Sequence, residues 1–168
     1  MAKEPKVFLI GGLLTVAVIG LGILFLSNQK TEAPITAQVQ GLSANPEYFD
    51  LGEVGINGGL VTREYEIKNT TDKILRLKKI ATSCMCTKAK VVVGDKETSL
   101  FGMEGHGDKN PSVNLELPAG VAAKVTAIFD PAAHGPQGVG PIDRSVFLTF
   151  SDPVGIKELK FSGVVVSK

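Results

Sequence analysis

The sequence predicts an all-β domain, an antiparallel β-sandwich of about seven strands, preceded by one N-terminal transmembrane helix. Short apolar runs with a period of two residues recur from residue 47 to the end of the chain, which is typical of half-buried strands. Turn residues separate these runs, and no long amphipathic helix interrupts them. One long, uncharged apolar run precedes them all and predicts the helix.

The apolar run extends from Val7 to Leu26, and as a helix its 20 residues would span roughly 30 Å, the thickness of the hydrocarbon core. Lys3 and Lys6 precede it, which favours a short cytoplasmic N-terminus (residues 1–6) and an extracytoplasmic C-terminal domain. A cleaved signal peptide is the alternative, but its apolar region is normally about 7–15 residues long and ends at an A-x-A site, which is lacking here. We therefore expect a single-pass protein of the cytoplasmic membrane.

The polar, Pro-bearing segment 27–46 is predicted to be a flexible linker, and residues 47–168 form the predicted β-sandwich. The strand predictions cover residues 48–54, 60–68, 74–82, 89–93, 121–129, 145–151 and 156–166. In the fifth of these, alternation places Phe129 on the core face and Lys124 on the opposite face. Residues 94–114 form a Gly-rich connection that is unusually long for a compact domain, so we expect it either to have a function or to be disordered.

Composition and motifs exclude several classes of function. The net charge is +1, with 18 basic and 17 acidic residues interspersed, so no basic surface for nucleic acid is expected. The sequence contains no nucleophile elbow, no phosphate-binding loop and no H-E-x-x-H zinc motif. We therefore do not expect an enzyme.

Several motifs in a fixed order resemble a known family. The segments are FDLGEV, YEIKNTTDKILRLKKIATSCMCT, LPAGVAAKVTAIFDP and LKFSGVV. Together they resemble the bacterial family catalogued as domain of unknown function 1573, over about residues 48–166. The resemblance implies an immunoglobulin-like sandwich similar to ASH and MSP-type modules, and it implies no activity by itself. Two features depart from the family pattern: Met85 replaces a small residue between the cysteines, and the 94–114 connection is longer than usual.

Apart from the initiator methionine, all Cys, His and Met side chains, which are potential sulfur and nitrogen ligands for a metal ion, lie in three predicted loops. Cys84, Met85 and Cys86 connect the third and fourth predicted strands, and His134 lies between the fifth and sixth. Because consecutive strands run in opposite directions, these two connections are predicted to share one end of the sandwich. Met103 and His106 lie in the 94–114 connection, which is long enough to reach that end.

Four interpretations of Cys84 and Cys86 remain open at this point. The two residues can be inert buried side chains, or a strained disulfide closing a small ring. They can also be a pair for thiol–disulfide exchange, although the C-x-x-C spacing of that class is absent. The fourth interpretation is a metal site, since two thiolates at positions i and i+2 of an extended segment can bind one ion.

The predicted site is a set of soft metal ligands. Cys84 and Cys86 with His106 and His134 would form a Cys2His2 set for zinc or copper, and a thioether from Met85 or Met103 would favour copper. The predicted function is therefore a membrane-anchored extracytoplasmic binding module that coordinates copper or zinc. The alternative is a non-catalytic structural or protein-interaction domain of the cell envelope, with inert or disulfide-bonded cysteines and an envelope protein as its partner.

Overall fold

A computed structural model of the chain describes residue 12, residues 14–21 and residues 37–168. Residues 14–21 are helical and include several exposed large apolar side chains. The predicted anchor, Val7–Leu26, otherwise lies outside the described residues. Among the described helical residues, no helix is long and apolar enough to cross a membrane.

Residues 37–168 contain ten strands and one 3-10 helix, Gly135–Gly138. The strands are β1 (Leu42–Asn45), β2 (Tyr48–Gly55), β3 (Val61–Asn69), β4 (Leu75–Thr82), β5 (Thr87–Val93), β6 (Lys96–Glu97), β7 (Leu115–Leu117), β8 (Ala122–Phe129), β9 (Gly140–Asp152) and β10 (Val154–Val166). They form two five-stranded sheets, with the order β1-β3-β8-β5-β6 in the first and β2-β10-β9-β4-β7 in the second. The predicted fold class, an all-β immunoglobulin-like sandwich, is confirmed.

Each of the seven predicted strands overlaps an observed one, and β1, β6 and β7 are additional. The added strands have 4, 2 and 3 residues, too few for a period of two to stand out in the sequence. Among the paired strands, β2 and β10 are the exception to the predicted antiparallel arrangement, because they pair in parallel. Alternating directions make the first and seventh predicted strands run the same way, but local patterning does not indicate that two strands so far apart in the chain pair with each other.

Alternation along the long strands builds the core between the sheets. In β8, Val125 and Phe129 are buried as predicted, whereas Lys124 is exposed. In β4 the pairing with β9 shifts register between Leu77 and Lys79, and this shift lets Leu77 and Ile80 both face inwards although they are three residues apart.

The N-terminal boundary of the sandwich lies earlier than predicted. Strand β1 forms within the predicted linker 27–46, and Gln38 bridges to Ile156. Val39 is buried, and its amide donates to the carbonyl of Ile156 at 3.1 Å. Gly155 permits this close approach, because a Cβ atom there would lie 2.5 Å from the Cα of Val39. Single apolar residues in a polar segment account for the docking, and they gave no periodic signal.

The 94–114 connection contacts both β4 and β5, which belong to different sheets. Phe101 forms an antiparallel bridge with Ala89 of β5, and the amide of Val113 donates to the carbonyl of Lys78 in β4 at 2.7 Å. Phe101 and Val113 are both buried. Burial of these two side chains explains why a Gly-rich connection adopts one path. This path brings part of the connection beside the end of β4.

Aromatic contacts join the two sheets. The ring centroids of Phe129 in β8 and Phe161 in β10 are 5.6 Å apart. The hydroxyl of Tyr65 in β3 donates to the carbonyl of Lys160 at 2.8 Å, and burial raises the pKa of Tyr65 well above its usual range, so this donor keeps its proton. Phe129 is the last residue of β8 and lies at the end of the sandwich that carries the cysteines.

Candidate functional site

The segment Ser83–Cys86 is a tight turn between β4 and β5. The amide of Thr87 donates to the carbonyl of Cys84 at 3.1 Å, which closes the turn. The hydroxyl of Thr82 lies 3.0 Å from the carbonyl oxygens of both Cys84 and Thr87 and stabilises the turn from within the fold. The sulfur-bearing turn is therefore held by groups that belong to the ends of both strands.

Neighbouring strands fix the same turn from two sides. The amide of Ser83 donates to the carbonyl of Ser145 in β9 at 3.0 Å, and the amide of Ser145 donates back to the Ser83 hydroxyl at 2.8 Å. On the other side, the amide of Asp130 donates to the carbonyl of Cys86 at 2.8 Å. The turn is therefore tied to both sheets.

The two cysteine sulfur atoms lie at disulfide distance, with their Cα atoms 5.3 Å apart. The two side chains differ in exposure: Cys84 is partly buried, whereas Cys86 is only 2% exposed. This geometry fits a disulfide, one of the four interpretations that the sequence left open.

His134 is brought to the cysteines by the connection between β8 and β9. An Asp130 carboxylate oxygen accepts the Ala132 amide at 2.9 Å, and this local turn starts the segment that leads to the 3-10 helix. The Nε2 atom of His134, an exposed residue, lies 3.1 Å from the Sγ atom of Cys84. The two connections share one end of the sandwich, so the prediction from strand direction is confirmed.

Arg144 contacts the second sulfur, and sequence reasoning missed it. Its Nε–H donates to the Sγ atom of Cys86 at 3.2 Å, and its Nη1 atom donates to the carbonyl of Asp143 at 2.9 Å. Arg144 has the same parity along β9 as Val146 and Leu148, which are fully buried. A charged residue at a core-facing position was the available signal, and it was overlooked because the predicted strand began at residue 145, after Arg144, whereas β9 begins at Gly140.

The remaining predicted ligands lie at different places. Met85 is at the apex of the turn and is 44% exposed. Met103 is half-buried and follows Gly102, whose carbonyl accepts the Thr82 amide at 3.2 Å, so the insert does pass beside the end of β4. His106 is exposed in a turn next to Glu104, which pairs with Lys79 at 2.8 Å.

A three-residue group of potential metal ligands results from this arrangement. Within the described part of the chain, one group of three potential ligands from His, Cys, Asp or Glu could hold a metal ion. It consists of Cys84, Cys86 and His134, whose ligand atoms all lie within 4.8 Å of one another. His106 is outside that group, so the structure brings together three of the four proposed Cys and His ligands.

The donor set fits a soft metal ion under one condition. Ligand atoms around a tetrahedral zinc ion are about 3.3–4 Å apart, which is farther than two sulfur atoms at disulfide distance. The pair must therefore be reduced, and its sulfur atoms must separate, before both can bind one ion. The same three side chains can thus serve as a disulfide or as a metal site, but not as both at once.

An open groove of about 430 Å³ adjoins the two residues that contact the sulfur atoms. His134 and Arg144 line it together with Phe129, Gln137 and Ile142. A volume of this size is within the range of small-molecule sites. The groove lies between the β8–β9 connection and the first residues of β9, so it opens at the same end as the cysteines.

Comparisons with known proteins agree with the resemblance seen in the sequence. A family described as "Protein of unknown function (DUF1573)" matches residues 42–106. The curated proteins provide no match to this chain.

Solved structures include several similar sandwiches. A protein of unknown function from Porphyromonas gingivalis W83 is 17% identical with a TM-score of 0.52, and the alignment covers 82% of this chain and 51% of that one, about half its length. The ASH / PapD-like domain 7 of human CEP192 is 14% identical with a TM-score of 0.45, over 84% of this chain and 93% of that domain. The C. elegans MSP family member WR4 is 9% identical with a TM-score of 0.36, over 76% of this chain and 100% of that one. The first likeness shows a shared fold and carries no function to this chain.

Proposed function

We propose that the protein is a non-catalytic binding domain that holds a soft metal ion, copper(I) in preference to zinc, between Cys84, Cys86 and His134. The observation that carries the proposal is the convergence of two sulfur atoms and one imidazole nitrogen within 4.8 Å. These atoms come from two connections that are about 50 residues apart in the chain and meet because of the fold.

Copper(I) is the preferred ion because the donors are soft. Thiolate ligands select copper(I) and zinc over harder divalent ions, and a thioether shifts the preference further towards copper(I). Met85 lies between the two cysteines at the apex of the turn, is 44% exposed, and carries a thioether. When bound, the ion would be held by the thiolates of Cys84 and Cys86 and by the exposed imidazole of His134.

The test is a competition for copper(I) between the reduced full chain, purified in mild detergent, and a chromophoric copper(I) chelator. The wild-type chain should withdraw one equivalent of copper(I), and a Cys84→Ser, Cys86→Ser double variant should withdraw none. His134→Ala should weaken the affinity by about tenfold or more, since loss of groups that merely support a ligand already costs about 10–100-fold. A parallel zinc titration with a zinc-sensitive dye compares the two ions.

His106→Ala is the matched control, because His106 is the other histidine of the chain and is outside the three-residue group. It should leave the affinity unchanged. Equal losses for the two histidine variants, or no withdrawal of copper by the reduced wild-type chain, would overturn the proposal.

One observation favours a second candidate, a structural or protein-interaction domain of the cell envelope. The two sulfur atoms lie at disulfide distance, which is one of the two states of the cysteines that this alternative includes. It predicts that the purified chain keeps an oxidised pair after treatment with a mild reductant and withdraws no metal. The same titration therefore separates the two functions.

We further propose that Val7–Leu26 anchors the protein in the cytoplasmic membrane and that residues 47–168 are extracytoplasmic. The support is the uncharged run of 20 apolar residues after Lys3 and Lys6. The full chain should resist carbonate extraction, and its intact mass should include the first residues. A mature protein that starts between about residues 28 and 38, in the segment after the run, would replace the anchor with a cleaved signal peptide.

A further inference from the structure

The two sulfur atoms have unequal surroundings. Cys84 is partly buried and touches the exposed His134, with 3.1 Å between Sγ and Nε2. Cys86 is 2% exposed, and its Sγ atom accepts the Nε–H of Arg144 at 3.2 Å and lies 3.7 Å from the hydroxyl of Thr87. Cys84 is therefore the less buried of the two sulfur-bearing residues, while Cys86 lies against a positive charge.

The groove of about 430 Å³ lies beside the two side chains that contact this asymmetric pair. His134 and Arg144, which contact the two sulfur atoms, are both part of its wall. The apolar side chains of Val139 and Ile142 and the amide of Gln137 complete much of the lining. A molecule held there is next to the groups that surround the sulfur atoms.

We propose that Cys84 and Cys86 form a redox couple that exchanges with a small-molecule thiol bound in this groove, with Cys84 the attacked sulfur and Cys86 the leaving sulfur. The thiolate of the incoming molecule attacks the Sγ atom of Cys84, a bond forms between these two sulfur atoms, and the bond between Cys84 and Cys86 breaks. The electron pair of the broken bond goes to the Sγ atom of Cys86. A second thiol then attacks the mixed disulfide, which frees Cys84.

The exchange transfers two electrons from the small thiols to the protein disulfide. The protein disulfide becomes two thiols, and two small thiol molecules become one small disulfide, with the two protons of the thiols transferred to the protein sulfur atoms. This inference does not depend on the metal proposal, because each step occurs without a metal ion.

Arg144 makes the exchange directional. Negative charge develops on the leaving sulfur atom in the transition state, and a donor already oriented towards that atom stabilises the charge without reorganisation. The Nε–H of Arg144 points at Cys86, whereas the neighbour of Cys84 is a histidine at the groove. Attack at Cys84 is therefore favoured because Cys84 is less buried than Cys86 and because the charge lies beside the departing sulfur.

The first experiment tests which sulfur reacts. Cys86→Ser leaves Cys84 as the sole thiol, and Cys84→Ser leaves Cys86. Each full-length variant is treated in the presence of EDTA with the chromogenic disulfide 5,5′-dithiobis(2-nitrobenzoate). The thiol of Cys84 should react about tenfold faster or more, because Cys86 is almost inaccessible without local opening. Equal rates, or a faster reaction at Cys86, would overturn the assignment.

The second experiment keeps both cysteines, so it stays informative if a cysteine variant fails to fold. The oxidised full chain and its Arg144→Gln variant are reduced by excess dithiothreitol, again with EDTA, and the rate of thiol release is measured. Loss of the charge-assisted contact should slow the reduction by about tenfold.

Arg76→Gln is the matched control for this second measurement. Arg76 pairs with Glu116 and lies eight positions before Cys84, roughly 25 Å away along an extended strand. Its substitution should leave the rate of reduction unchanged. An unaltered rate in Arg144→Gln, an equal slowing in both variants, or failure of the wild-type chain to form the disulfide with an oxidant would each refute the proposal.

Discussion

Replacing Phe129 with alanine should destabilise the sandwich far more than replacing its strand neighbour Lys124. Phe129 is 3% exposed, and its ring lies 5.6 Å from that of Phe161 in the opposite sheet. Truncating a buried Phe to Ala typically costs about 3–5 kcal/mol, through the lost transfer free energy and the cavity that remains. Phe129 ends β8 beside an open groove, where partial collapse is possible, so we expect a loss near the lower end, about 3 kcal/mol.

Urea unfolding followed by circular dichroism measures the loss. With a slope of about 2 kcal/mol per M urea, the midpoint should fall by about 1.5 M. Lys124→Ala is the control on the opposite face of β8. Lys124 is exposed and pairs with the exposed Glu64 at 3.0 Å, so its removal should cost about 0.5 kcal/mol or less. Equal midpoint shifts for the two variants would mean that the assigned faces of β8 are wrong.

Three further changes test other parts of the fold. Asn69→Ala should lower the free energy of unfolding, measured in urea, by about 2–3 kcal/mol. The buried Asn69 amide donates to the carbonyls of Lys73 and Leu117, at 2.7 and 2.8 Å, and both carbonyls would lose this donor. A loss below about 0.5 kcal/mol would contradict this role. Gly155→Ala should displace the segment at Val39, because the added Cβ would lie 2.5 Å from the Cα of Val39. Hydrogen exchange at the Val39 amide should therefore be faster, and unchanged exchange would refute this contact. Thr82→Val should lower the unfolding free energy by about 1 kcal/mol, because the turn loses a hydroxyl that lies 3.0 Å from two carbonyl oxygens. An unchanged urea midpoint would show that the hydroxyl does not support the turn.

Strand patterning made most of the sandwich predictable. Alternation in the long strands is a local property, since one face of each strand must be buried, and it placed Val125 and Phe129 in the core. The parallel pairing of β2 with β10 was not predictable, because it is decided by two segments more than 100 residues apart. The docking of Val39 depends on the space left by Gly155, which no pattern within residues 27–46 could indicate.

The candidate site was predictable only in part, for a similar reason. Strand direction alone placed His134 at the same end as the cysteines, because it depends on counting strands and not on distances. The position of His106 depends on the path of the 94–114 connection, which is set by the burial of Phe101 and Val113. Arg144 required knowing that β9 begins at Gly140, several residues before its clear alternation starts.

X-ray absorption at the copper edge of the reduced, copper(I)-loaded full chain identifies the atoms that bind the ion. We expect a first coordination shell with two sulfur atoms and one imidazole nitrogen, which are the donors that converge in the fold. The imidazole signal should disappear in His134→Ala and persist in His106→Ala. A shell made of sulfur alone in the wild-type chain, or an imidazole signal that survives the loss of His134, would rule out the proposed copper site.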